Sequence, residues 1–515
     1  MQQSGWHEGE PGPRAGALAL PLALGLLTVA VYGLYFSQDL GAGSPRHYDA
    51  YYTLIRSIGF LDTGDWLAVH RNTQPDFRKP PLQYMLTALS MKAGMDDMLA
   101  LRLWPFVFAL GTLLGTLLLA RLIAPYSPWA MPSAVLLLAS SRVLAGQARM
   151  GLLETGMACF LVLSLCALFL AERDSRWWIA AGTLVGLGFL QKAPVALAAS
   201  ALGVTALCWL PGERAYSWAA LRRSRDFRIG GAIALGLCAF WPLVQVLRFG
   251  PKYLKVQYLW QMIYRFHPHP PAGAGGVGPE PLRWLEWLRF DSPMVWLTCL
   301  ALLGVALLTP RFRRNGKLFL VALYVGVVIA ALAVAGGEVY PRYIVVLTPF
   351  LAVVGGVVLA ELVPWRRPLA GGVAAVLFAT NLPALAQVTR PSDANDADRM
   401  ATARLFREAL AEDETPIFFY SEARRLDYPP PAFLYYADLD RRVAVFNRVG
   451  LRQLGPAKAR QRLRPPYQGI AHRDDYAMVG RYLGPLVEVG RHGEHVIWKS
   501  AGRDRPPGGN DPPEE

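Results

Sequence analysis

A chain of 515 residues in which 53% are hydrophobic and only 17% are charged cannot hide its apolar side chains in one soluble core, so the composition points to a multi-span membrane protein. The net charge of +14 does not argue for a nucleic-acid partner: the basic residues stand in short clusters between apolar runs, RRSRDFR at 222–228 and RFRR at 311–314, as topology signals do. The five cysteines (Cys159, Cys166, Cys208, Cys238, Cys299) all lie inside apolar segments without CxxC or zinc spacing, which excludes a disulfide framework and a thiolate metal site.

Taken in chain order, residues 1–16 lack the charged region and cleavage site of a signal peptide and are expected in the cytoplasm. The apolar run at 17–37 is long enough to span and is read as a retained first helix. Further spans are predicted at 102–124, 129–147, 152–171, 177–191, 193–211, 229–248, 286–309, 318–336, 343–363 and 369–390, eleven in all. With the N-terminus inside, the alternate loops that face the cytoplasm collect Arg214, Arg222, Arg223, Arg225, Arg228, Arg311, Arg313, Arg314, Lys317, Arg366 and Arg367, as the positive-inside rule requires. The same parity puts the loop 38–101, the loop 249–285 and everything after 390 outside.

Within the loop 38–101, RHYDAYYTLIRSIGFLDTGDW and DFRKPPLQYMLTALSMKAG mix ionisable and aromatic residues with apolar ones, which predicts interfacial helices. Beyond residue 390, DADRMATARLFREALAE reads as an amphipathic helix, and TPIFFYSE, RRVAVFN, DYAMVG and HVIWKS read as short strands. Residues 391–500 are therefore expected to form a small α/β extracytoplasmic domain, followed by a disordered Pro- and Gly-rich tail at 501–515.

Asp49, just beyond the first span, is placed to act as a general base toward an acceptor hydroxyl, or else to cap a helix beginning at Ala50. Lys79 precedes Pro80 and Pro81, whose fixed φ angles stiffen the backbone around it; it is either a cation aimed at a lipid phosphate or a snorkelling anchor. Lys192 in GFLQKAPVAL, Arg265 in YRFHPHP and Arg342 in GGEVYPRYIVV add outer-side cations that need a counter-charge, which a phosphodiester headgroup supplies, and Tyr343 adds a phenolic hydrogen bond. Glu154 in QARMGLLETGMACF is either a second carboxylate beside Asp49 or a salt-bridge partner of Arg149. His267 and His269, spaced by proline and without a third ligand nearby, read as surface loop more readily than as a metal site.

YDAYYTLIRSIGFLDTGDW, FRKPPLQYMLTAL, ARMGLLE, GFLQKAPVAL, the RF at 265–266 and PRYIVVLTPFLAV, in this order, resemble the GT-C class of membrane glycosyltransferases. Within it they are most similar to the aminoarabinose-transferase and protein O-mannosyltransferase-like (ArnT-like) branch. The resemblance runs over residues 17–390. It implies an α-helical polytopic fold and a catalytic role for Asp49, and it places Lys79, Arg265 and Tyr343 at the donor phosphate. The chain departs from the family pattern at Ala50, where a glutamate is common, and at Arg78, where Glu-Lys-Pro becomes Arg78-Lys79-Pro80. It has Glu154 where an aspartate is common. The first two changes weigh against a peptide acceptor and a metal, although a divalent metal stays open.

The expectation is a glycosyltransferase of the bacterial inner membrane with its site on the periplasmic side. It moves a sugar, with inversion, from a polyprenyl-phosphate donor to a lipid or glycan acceptor, and it has no nucleic-acid partner. The competing reading is a lipid or glycan transporter or flippase, which needs many spans and a basic cavity equally.

Overall fold

The computed structural model of the protein describes residues 15–71, 74–192, 203, 218–263, 282–334, 341–363, 367–389, 393–411, 413–420, 431–437, 444–463 and 465–501. The chain divides into two compact units, Met1–Gly41 with Arg56–Arg390, and Ala42–Ile55 with Pro391–Glu515.

The first unit is helical. It opens with α1 (Ala15–Ser37), and the unit boundary falls inside α2 (Tyr48–Thr63). A two-residue antiparallel pair, β1 (His70–Arg71) with β2 (Gln74–Pro75), leads to α3 (Leu82–Lys92). There follow α4 (Asp97–Ile123), α5 (Ala130–Ala139), α6 (Arg142–Met150), α7 (Glu154–Leu170), α8 (Trp177–Gln191) and α9 (Arg225–Phe249). The unit is completed by α10 (Arg283–Asp291), α11 (Pro293–Leu308), α12 (Gly316–Val334), a 3-10 turn at Pro341–Val346, α13 (Thr348–Leu362) and α14 (Arg367–Thr389).

Four described helices are long and apolar enough to cross a membrane: Ala17–Ser37, Asp97–Ile123, Arg225–Phe249 and Pro368–Val388. The helices α6 and α7 are together apolar enough for a broken span or a re-entrant loop, bent by 116°, and five shorter apolar helices are also described. The chain is thus a multi-pass helical membrane protein. The predicted span 193–211, Gly203 apart, lies outside the described residues.

Two predicted spans are broken where averaged apolarity concealed a stop. The run 129–147 ends its first helix at Ala139, and a new helix starts where the Ser141 hydroxyl accepts from Leu144 N at 3.0 Å. The run 286–309 breaks at Ser292, because Pro293 has no N–H to continue α10 and instead opens α11.

Apolar surface gains little from leaving lipid for protein, so helices in a membrane associate through close packing and through small residues that let backbones meet. The pair α8 and α9 shows this. A Cβ on Gly182 would sit 2.0 Å from the Gly230 carbonyl oxygen, and one on Gly230 would sit 2.1 Å from that of Trp178.

In the second unit, α15 (Asp393–Ala409) precedes β3 (Thr415–Tyr420), α16 (Pro431–Tyr436), β4 (Ala444–Asn447), α17 (Arg448–Arg462) and β5 (Tyr467–His472). It ends with α18 (Arg473–Leu483), β6 (Leu486–His492) and β7 (His495–Ser500). The strands form one sheet in the order β4-β3-β5-β7-β6, parallel across β4-β3-β5 and antiparallel thereafter. One face buries Phe406, Phe418, Phe433, Ile470 and Ile497 together with Tyr51 from the start of α2.

DYAMVG, expected as a strand, is helical. His472 Nδ1 accepts from Asp474 N at 3.2 Å as the N-cap of α18, and Asp474 and Asp475 occupy the first turn, where carboxylates favour a helix. YQGIAH and LVEVGRH supply strands that had not been predicted.

Candidate functional site

The helices α7 and α8 run antiparallel through a short turn, so the start of the first and the end of the second lie at one end of the bundle. The corner before α7 depends on Gly151, whose φ of 74° lies in the left-handed region and whose Cβ position would fall 2.6 Å from Leu101 Cγ. Past that corner Glu154 opens α7 with its side chain buried.

Lys192, at the C-cap of α8, places Nζ 2.7 Å from Glu154 Oε1. Arg342, in the 3-10 turn, places Nε 3.3 Å from the same oxygen. Tyr343 packs between these cations: Lys192 Nζ is 4.9 Å and Arg342 Cζ 5.8 Å from its ring centre. Lys79, in the turn before α3, is close enough for its charge to act on Glu154 as well. Both helix ends suit their charges, an anion at the N-terminus of α7 and a cation at the C-terminus of α8. Lys192 and Arg342 thus meet one carboxylate, and Lys79 acts on the same group through its charge.

Five sequence candidates, Lys79, Glu154, Lys192, Arg342 and Tyr343, are thus brought together. The pairing of Glu154 with Arg149 is not made; Arg149 Nη1 donates instead to the carbonyls of Phe36 and Gln38, at 2.8 and 2.7 Å. Arg265, His267 and His269 lie outside the described residues. Asp49 belongs to the second unit, in the first turn of α2, which starts at Tyr48 and not at Ala50. Its N–H donates to His47 Nδ1 at 3.0 Å, its carbonyl accepts from the Thr53 hydroxyl at 2.7 Å, and its carboxylate is 44% exposed. Among the described residues no group of three His, Cys, Asp or Glu side chains is placed to hold a metal.

Two features escaped the sequence reading. Buried Arg56 donates to Asp76 Oδ2 from Nη2 at 2.8 Å and from Nε at 3.1 Å, and from Nη1 to Tyr84 Oη at 3.1 Å. Asp76 Oδ1 accepts from Arg78 N at 3.0 Å, which ties down the turn that carries Lys79. Burial alone would raise the Asp76 carboxyl, but the Arg56 guanidinium and the Arg78 N–H hold it below the ordinary carboxylate range. The second feature is a buried amide pair, Gln83 with Gln191, joined by a 2.6 Å bond from Gln191 Nε2 to Gln83 Oε1. The signal available for both was a polar side chain within an apolar helical pattern.

The fold is of the GT-C type, the architecture of membrane glycosyltransferases. ArnT from Cupriavidus metallidurans bound to undecaprenyl phosphate superimposes with a TM-score of 0.65 at 15% identity, over 96% of this chain and 100% of that one. Its apo state gives 0.65 at 16% identity, over 94% and 98%. The arabinofuranosyltransferase AftD from mycobacteria gives 0.54 at 17% identity, over 96% of this chain and 40% of its own length. In sequence, residues 78–242 match the family model of dolichyl-phosphate-mannose-protein mannosyltransferase, a segment that contains Lys79, Glu154 and Lys192. No curated protein matches the chain in the sequence comparison.

Proposed function

We propose that this protein is a glycosyltransferase of the inner membrane that takes a sugar from a polyprenyl-phosphate donor and transfers it to a lipid or glycan acceptor on the periplasmic side. The observation that carries this reading is the cluster of Lys79, Lys192 and Arg342 on the single carboxylate Glu154. Cations gathered at the end of membrane helices suit the developing charge of a phosphate monoester leaving group, and the ArnT structure with undecaprenyl phosphate supports the same class of ligand.

In this proposal Lys79, Lys192, Arg342 and Tyr343, with Arg265, stabilise the departing phosphate. Asp49 takes the proton of the acceptor hydroxyl. The acceptor oxygen bonds to the anomeric carbon as the carbon–phosphate-oxygen bond breaks, with inversion in one step. Eleven crossings carry residues 17–390, and residues 391–500 form a periplasmic domain.

The test incubates purified protein in lipid nanodiscs with a panel of polyprenyl-phosphate sugars. Consumption of one donor is expected, with transfer lost in a folded Asp49→Asn variant. Full activity of Asp49→Asn refutes that base, and no consumption of any donor refutes the transferase. One observation favours a transporter: an ionisable residue stands at a 116° break between helices, as at transporter binding sites. Cysteines at positions 79 and 342 that react in turn from both membrane faces would establish it, whereas the transferase predicts reaction from one face.

A further inference from the structure

The three segments that bring Lys79, Glu154 and Lys192 together have separate origins: the turn before α3, the corner between α6 and α7, and the end of α8. What joins them is the amide pair. Gln83, on the first turn of α3 and four residues beyond Lys79, donates through Nε2 to the carbonyl of Gly151 at 3.2 Å. Gln191, immediately before Lys192, donates through Nε2 to the carbonyl of Leu153 at 3.1 Å and to Gln83 Oε1 at 2.6 Å. Both carbonyls belong to the corner that ends at Glu154. Both glutamine side chains are fully buried. The space at Gly156, in the first turn of α7, is also filled by this pair, since a Cβ there would meet Gln191 Nε2 at 2.4 Å.

Stability alone does not account for this arrangement. Among the described residues Gln191 Oε1 is buried without a hydrogen-bond partner, as is the neighbouring Thr155 hydroxyl. A core built only for stability would use apolar side chains of similar shape, because an incompletely satisfied polar group costs more than it returns. Buried polar pairs instead select one arrangement among packings that apolar groups would allow to slide.

We propose that Gln83 and Gln191 are positioning residues for the anion site, fixing the mutual register of the segments that carry Lys79, Glu154 and Lys192. Neither side chain touches substrate. The inference rests on the reading of that cluster as a phosphate site.

The experiment uses the full chain in nanodiscs and a short-chain polyprenyl monophosphate as the probe. Gln191→Met and Gln83→Met keep side-chain length while removing the amide bonds. Each is expected to weaken probe binding about tenfold, the scale of one or two net buried hydrogen bonds, and to lower the donor kcat/KM by at least the same factor. Thermal unfolding and gel filtration report whether each variant is folded. Should the Met variants be lost to misfolding, Gln83→Asn serves instead: it keeps a neutral amide but shortens its reach to Gly151 and Gln191, and the same weakening is expected. Lys192→Met is the control for the site itself. Folded glutamine variants that bind like wild type, beside a Lys192→Met variant that binds poorly, overturn the positioning role alone. Undiminished binding by Lys192→Met overturns the phosphate site, and the inference with it.

Discussion

The most deeply buried ion pairs of the helical bundle and the surface pairs of the α/β unit keep very different amounts of water. In the helical bundle an ion is buried and sits against named partners: Glu154 has Lys192 at 2.7 Å and Arg342 at 3.3 Å, and Asp76 has Arg56 at 2.8 Å. On the surface of the α/β unit, Arg491 meets Glu488 at 3.0 Å, three residues apart along β6, with side chains 57% and 38% exposed. Geometry is similar and energetics are not. Desolvation makes a buried ion depend on its partner, whereas a solvated pair gains little. The bundle can therefore hold Lys192 and Arg342 in fixed positions against Glu154, whereas Arg491 and Glu488 stay solvated.

This contrast is sharpest at Glu154. Replacing it by alanine removes the carboxylate that Lys192 and Arg342 share and is expected to cost about 3 kcal/mol in thermal unfolding, with Lys192→Met partly restoring stability in the double variant. A loss as small as that of a surface pair would break the comparison. Next in size is Gly469→Val in the α/β unit, where packing and not charge is limiting: a Cβ there would lie 2.0 Å from Trp498 Cζ2. It is expected to destabilise that unit by about 1–3 kcal/mol, read by limited proteolysis after residue 390.

Asp76→Asn tests whether the Arg56 pair behaves as buried. The folded carboxyl is held below its unfolded value of about 3.9, so its contribution is complete above that pH and disappears as pH falls through the depressed folded value. Wild type should exceed the variant by about 1–3 kcal/mol at pH 7, and the gap should narrow as pH falls below the unfolded carboxyl value. A constant gap would assign the effect to packing. Smallest is Arg491→Ala, expected to leave the unfolding midpoint within about 2 °C of wild type and to be insensitive to added salt beyond that.

Much of the bundle can be read from sequence because a helix in lipid must satisfy its own backbone, so each apolar run declares itself. Trp177–Gln191 appears where its run of apolar residues predicts it. Breaks are harder to see, since Ser140-Ser141 and Ser292-Pro293 sit inside runs whose average is apolar. In the second unit Asp475-Tyr476-Ala477 alternates like a strand, and only the cap made by His472 reveals the helix. Lys79, Lys192, Arg342 and Tyr343 were visible as polar residues at the ends of apolar segments. Their convergence on Glu154 was not, because the Lys192 contact joins residues 38 apart and the Gln83–Gln191 bond joins residues 108 apart. A single sequence carries no trace of such pairs.

The contact of Gly182 with Gly230 has a consequence for traffic. With backbone against backbone there, and Leu237 closing over Gly186 further along, the seam between α8 and α9 has no width for an acyl chain. In the proposed reading, a donor lipid that reaches Lys192 therefore does not thread the α8–α9 seam at these glycines.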